Sequence, residues 1–159
     1  MADDVFLRLD GIEGESKDQV HWGKIDVLAW TWGASQSGSF HTGGGGGAGK
    51  ATFKDVTVLK GIDKSSPELF IKLASGKHIK KGQLILRKAG ERPLEYLVIH
   101  FEDIILTSLE LDGSGGEDNP REKLTFNFSK FVIDYSEQDA EGHGASPVKM
   151  TWNIAANSK

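Results

Sequence analysis

The sequence predicts a mainly β protein: a compact antiparallel β-barrel or sandwich with one short α-helix. Three observations carry that expectation. Short runs that alternate apolar and polar residues, or are rich in β-branched and aromatic ones, recur along nearly the whole chain. Glycine supplies 20 of the 159 residues, nearly twice the usual share of about 7%, and it concentrates between those runs. A single stretch carries helix signals at both ends. No linker divides the chain, so residues 1–159 are expected to form one domain.

The first run, residues 4–10, places Val5, Leu7 and Leu9 on one face. Residues 25–35, 51–60, 83–88, 94–101, 103–111, 123–128, 131–135 and 148–154 follow as further strands. Turn chemistry separates them at residues 11–14, 90–93, 112–116 and 139–147. The helix falls at residues 65–76. Ser65 can cap it together with Glu68, Pro67 sits in the first turn where no N–H is needed, and Gly76 can take the left-handed stop. Residues 94–101 are apolar on both faces: Leu94, Tyr96 and Val98 on one, Leu97, Ile99 and Phe101 on the other. Such a strand lies deep in one core, or between a core and a neighbouring subunit.

Composition excludes several classes. There are no cysteines, which removes disulfides, zinc thiolate sites and cysteine nucleophiles. Lys and Arg total 19 against 23 Asp and Glu, a net charge of -4, where a duplex nucleic-acid binder needs a basic excess. Apolar runs such as residues 96–99 fall far short of the roughly 20 residues that span a bilayer, so no membrane insertion is expected. The start, Met1-Ala2-Asp3-Asp4, is acidic where a signal peptide is basic, and synthesis in the cytoplasm is the expectation.

Candidate chemistry is sparse. Gly44 to Lys50 fits G-x-x-x-x-G-K, but Ala51 stands where a P-loop needs Ser or Thr. β-propensity sequence follows where a helix is required. The tract Gly43, Gly44, Gly45, Gly46, Gly47, Ala48, Gly49 and Lys50 therefore reads as a long connection between strands. Fixing it costs much ordering entropy, so it becomes useful where it drapes over another molecule. Residues 112–118 miss the calcium-loop pattern at the third, fifth and sixth positions. His21, His41, His78, His100 and His143 show no metal-ligand spacing, and no G-x-S-x-G elbow occurs. No catalytic residue, metal or cofactor is expected.

The strand at residues 25–35 says most. With period 2, Leu28, Trp30 and Trp32 share an apolar face expected in the core. Ala29, Thr31, Gly33 and Ser35 share the other, which carries only small side chains. That face either packs closely against the helix or forms a smooth wall lining a cavity or channel.

The same residues carry a family resemblance. Ile25-Asp26-Val27-Leu28-Ala29-Trp30-Thr31-Trp32-Gly33, then residues 35–39 and 43–50, resemble the Hcp family, the haemolysin-coregulated tube subunit of the bacterial type VI secretion system. Residues 14–18, 62–67, 75–78, 87–90, 113–118 and 152–154 extend the match over roughly residues 3–155. The resemblance implies a small β-barrel with a flanking helix, assembled as a homo-hexameric ring with a wide channel. It further implies that rings stack into a tube inside a contractile sheath, behind a VgrG spike, with effector proteins in the lumen. On that basis the tract 43–50 is the expected ring-stacking loop, and Ala29, Thr31, Gly33 and Ser35 the expected lumen residues. The ending at Lys159, just past the last strand, leads us to expect no fused toxin domain. Export through the type VI machine from the cytoplasm is the expected route.

Overall fold

Strand alternation closes into a six-stranded antiparallel barrel with a seventh strand on its flank. The computed structural model describes residues 3–38, 50–90, 93–116, 118–137 and 147–159. β1 (Asp3–Leu9) pairs along its length with β6 (Ile79–Lys88), and at Phe6 and Leu7 with β2 (Ile25–Thr31). β2 pairs with β5 (Val56–Gly61), β6 with β7 (Leu94–Asp112), and β7 with β8 (Arg121–Tyr135). β5 pairs with the first half of β8, which closes the barrel. β9 (Val148–Asn153) pairs with the second half of β8. β3 (Ala34–Ser35) and β4 (Thr52–Phe53) form a separate two-stranded ribbon.

Two expected strand breaks are continuous strand. Residues 94–101 and 103–111 belong to the single 19-residue β7, and residues 123–128 and 131–135 to the 15-residue β8. The alternation changes phase in both strands at the same level. Ile99 and Phe101 are buried before it on β7, Ile104 and Leu106 after it; on β8, Phe126 and Phe128 give way to Phe131. Phe101 still faces Phe131, and Ile104 faces Phe128, with Glu102 opposite Lys130 between them. Asp103, at φ 55, absorbs the turn of the chain. A phase change shared by paired strands bends the sheet without ending it, and in sequence it looks like a gap.

The barrel interior holds Leu7, Leu9, Ile25, Val58, Leu84, Phe101, Ile104, Leu124 and Phe126, each at most 2% exposed. Burial of each such side chain contributes roughly 1.5–3 kcal/mol. Gly82 allows the closest approach: a Cβ there would lie 2.8 Å from Leu9 Cδ2 and 2.8 Å from Ile104 Cδ1.

The helix, α1 (Ser65–Ser75), packs on β7 through Leu69 and Leu73. Gly76 ends it at φ 66, as expected, and its N–H bonds the Leu73 carbonyl. The expected Ser65–Glu68 cap does not form. Lys64 already has helical dihedrals, so the cap moves back to Asp63, whose Oδ1 accepts the Ser65 N–H at 2.9 Å. The first turn is buried against a charged pair. Lys60 and Glu122, directly opposite in register, are both fully buried with Nζ and Oε2 3.2 Å apart. Asp63 lies 3.1 Å from Lys60, and the Ser66 hydroxyl donates to Glu122.

Candidate functional site

Four surfaces could act on other molecules, and each follows from local sequence. The first is the outward face of β2, β5 and the C-terminal part of β7 with the N-terminal part of β8. Ala29 faces Leu59, which faces Lys123, which faces Glu110. Beside that row run Thr31, Thr57, Thr125 and Ser108. Thr107 bridges to Asp55 at 2.6 Å and to Thr125 at 2.9 Å. Ala29 and Thr31 are exposed, while α1 packs on β7, so the small-residue face is not the seat of the helix.

Leu28 corrects the expected pattern. The register slips by one residue between Val27 and Ala29, and this bulge turns Leu28 outward, 60% exposed. Val27 before it and Trp30 and Trp32 after it pack on the core. Strict alternation from residue 28 onward assigned the tryptophans correctly and Leu28 wrongly. The bulge has no single-sequence signal here, since no glycine marks it. Gly33 and Ser35 also part from Ala29 and Thr31. The chain leaves the barrel after Thr31; Gly33 is half-buried in the connection, and Ser35 pairs with Thr52 in the ribbon.

The second surface is that ribbon, which carries the glycine tract. Lys50 is exposed, and Gly43 to Gly49 lie outside the described residues. The base is firmly held. Trp32 donates its indole N–H to the Lys54 carbonyl at 2.9 Å. Its ring meets Phe131 edge-on at 4.9 Å and stacks on Phe53 at 6.4 Å.

A third surface lies where β8 leaves the barrel. The core-facing rows continue across the sheet onto β9 and lose their cover as they go. Leu7, Leu84 and Ile99 are buried; Ile133 beyond them is half-buried, and Met150 is 43% exposed. The row Leu86, Leu97, Tyr135, Val148 runs from 4% exposed to 68% exposed. Apolar rows built like a core, yet open at one end, are the mark of a surface that another protein covers.

The fourth surface was not read from the sequence. Residues 11–24, without regular strands, fold over the outward side of β1 and β6. Asp18 binds the Arg87 guanidinium at 2.6 Å and 2.9 Å, and the guanidinium lies 5.0 Å from the Phe6 ring. The arginine holds the Asp18 carboxyl well below the usual carboxylate range. Buried His21 packs its ring, tilted, against Phe6 at 4.7 Å, bonds Glu95 through Nε2 at 2.5 Å and meets Lys24 through Nδ1 at 2.6 Å. Burial pushes the Lys24 ammonium down. The loop thus presents Val20 and Trp22, each 70% exposed, from a fixed frame. Polar residues spaced far apart in sequence build it, so no periodicity could announce it.

Among the described residues, no group of three or more His, Asp or Glu is placed to hold a metal. No described helix is long and apolar enough to cross a membrane.

Comparison with known proteins agrees with this geometry. The family model described as "Type VI secretion system effector, Hcp" matches residues 6–135. The chain is 48% identical over 159 residues to Protein hcp1 of Pseudomonas aeruginosa, covering 99% of this chain and 98% of that one. The crystal structure of Hcp1 from Salmonella typhimurium superposes with a TM-score of 0.82 at 37% identity, over 99% of both chains. A type six secretion system protein superposes with a TM-score of 0.93 at 26% identity, again over 99% of both chains.

Proposed function

This chain belongs to the Hcp family of type VI secretion proteins, and from that premise we propose that it works by assembly, as one domain that builds homo-hexameric rings. It is a type VI secretion tube protein. The finer reading is that rings stack into a tube within the contractile sheath, tipped by the VgrG spike, and that effector proteins travel in the lumen. The chain is made in the cytoplasm and leaves through the type VI machine.

The observation that carries the ring is the open end of the core on β8 and β9. Tyr135, Val148 and Met150 continue buried rows into solvent, and β9 is the last strand of its sheet. A heterologous contact there gains apolar burial and covers an exposed sheet edge. In this reading Ala29 and Thr31 line the channel wall, and Gly33 and Ser35 lead away toward the stacking loop, Gly43 to Lys50; the exposure of Ala29 and Thr31 supports it.

Mass in solution tests the proposal. A stable 17.3 kDa species at micromolar concentration overturns it. Deleting residues 43–49 leaves ring mass unchanged and removes higher stacks; a deletion that stacks like the parent removes the loop from assembly.

A further inference from the structure

We propose that Lys24 is a modification site, an amine that takes an acyl group from small acyl phosphates with His21 as its base and Glu95 holding that base. Three side chains stand in line. Glu95 Oε1 lies 2.5 Å from His21 Nε2, and His21 Nδ1 lies 2.6 Å from Lys24 Nζ. An ionised carboxylate only accepts, so in the neutral imidazole Nε2 carries the proton and Nδ1 is left as the acceptor. The Lys24 nitrogen therefore donates to Nδ1. Once the ammonium has given one proton to water, an N–H still points at Nδ1 and the lone pair is directed elsewhere, free to attack. Carboxylate, imidazole and nucleophile in that order are the arrangement that activates a weak nucleophile.

The fold holds the line in place. The His21 N–H bonds Asp18 Oδ2 at 3.0 Å, and Asp18 is itself clamped by Arg87. The Lys24 N–H bonds the His21 carbonyl at 3.2 Å, and the Lys24 carbonyl accepts the Ser16 N–H at 2.9 Å. Base and nucleophile are thus ordered before any reagent arrives. Lys24 is half-buried, so its amine is poorly hydrated yet still within reach of a small molecule. Burial pushes the ammonium down and Arg8 on β1 adds to this, while Glu95 on β7 and Asp18 in the loop oppose it. In the reaction the lone pair of Nζ forms a C–N bond to the acyl carbon. The C–O bond to phosphorus breaks from carbon, and inorganic phosphate leaves with that electron pair. The proton shed by nitrogen passes to His21 Nδ1, whose imidazolium Glu95 stabilises, and then to the departing phosphate. Acylation removes a positive charge from the loop that presents Val20 and Trp22, and so alters that surface.

The test uses the full-length protein, acetyl phosphate as the probe, and site-resolved mass spectrometry of the acetylated lysines. Exposed Lys80 of the same chain is the internal reference. At about pH 7.5, Lys24 is expected to acetylate at least about threefold faster than Lys80, because a lowered pKa raises the free-amine fraction there. Its rate is expected to level off at a lower pH than that of Lys80. Glu95→Gln keeps an acceptor for Nε2–H and removes the charge. A carboxylate that acts only through its field holds the proton on Lys24, so its loss would speed labelling. The relay predicts the opposite, a rate at least about threefold lower than in the parent. Glu95 is exposed, and a melting curve reports whether the variant is folded. Should it fail to fold, the pH profiles of Lys24 and Lys80 in the parent decide alone. Lys24 labelled no faster than Lys80, matching pH profiles, or a folded Glu95→Gln protein labelled as fast as the parent overturns the proposal. Labelling of Lys24 by an acyl thioester but not by acetyl phosphate overturns it as well.

Discussion

The two halves of β8 differ in what their far edge meets. Residues 121–126 pair with β5 and close the barrel, and there Glu122, Leu124 and Phe126 are all fully buried. Residues 130–135 pair with β9 instead, and exposure rises from 1% at Phe131 to 45% at Tyr135. Both halves keep an apolar face toward the same side of the sheet, and both pair with β7 throughout. The difference is closure. A row of side chains that returns to its starting strand is a core, while a row that ends on an edge strand is a surface awaiting a partner.

The largest expected effect breaks the closed half. Glu122 and Lys60 compensate each other in a site with no exposure. Glu122→Ala leaves a buried ammonium with Asp63 and Ser66 for company and is expected to cost about 3–5 kcal/mol. The double variant Lys60→Met with Glu122→Leu is expected to cost much less than the two single losses together. Urea denaturation at fixed protomer concentration measures both. Equal stability of Glu122→Ala and the parent would show that barrel closure does not depend on the pair.

On the open half the same scale of insult should leave the fold alone. Met150→Glu places a charge on an exposed position of β9. We expect a change in protomer stability below about 0.5 kcal/mol, together with a fall in mass from ring to monomer. A Met150→Glu protein that keeps the parent's mass would remove β9 from the assembly surface. A loss of folding would instead make the flank part of the core, and the contrast between the halves would disappear.

The sequence made the closed half legible and left the open half ambiguous. Alternation grouped Leu7 and Leu9 on one face of the first strand, and both are buried in the barrel. The doubly apolar residues 94–101 pointed both to a core and to a neighbour, and the structure shows why. Ile99 and Phe101 face the barrel, while on the other side Tyr96 and Val98 are half-buried. Two features depend on partners distant in sequence and were therefore hidden: the bulge at Leu28, set by the pairing of β2 with β5, and the loop held by Asp18, His21 and Arg87. The Asp63 cap is local, two residues from Ser65, and it displaced the Ser65 cap because Lys64 already takes helical dihedrals. Of the expected channel residues, period 2 grouped Ala29 with Thr31 correctly, but it could not see the chain leave the barrel before Gly33.

Tyr96 sharpens the comparison through pH. It stands on β7 near the open half, and its hydroxyl donates to the Asp3 carboxylate. Burial, helped by that carboxylate, pushes the phenol from 10.0 up to about 12. The folded state holds the proton more tightly than the unfolded chain. The resulting stability is complete below about pH 10 and is lost as pH rises toward 12. Tyr96→Phe is expected to flatten the melting temperature over that window relative to the parent, and an unchanged slope would place the alkaline response elsewhere.

The smallest effect is expected at Thr31, and its smallness is the point. Thr31 is exposed on the outward face of β2, while its neighbours Trp30 and Trp32 pack inward and fix the register. A one-residue slip would turn both tryptophans outward, so the outward side chain is free to change without moving the strand. Thr31→Gln should therefore cost less than about 0.5 kcal/mol and leave ring mass unchanged. Trp30→Ala in the same strand should cost several-fold more, roughly 3 kcal/mol, as a cavity beside Val58 and Leu124. In the ring the longer amide is repeated in every copy, so Thr31→Gln should alter retention of a lumen client far more than it alters folding. Melting curves of the two variants and co-purification of a defined client measure the separation. A Thr31→Gln protein as unstable as Trp30→Ala would mean that this face is packed and not open, and it would remove the channel wall from β2.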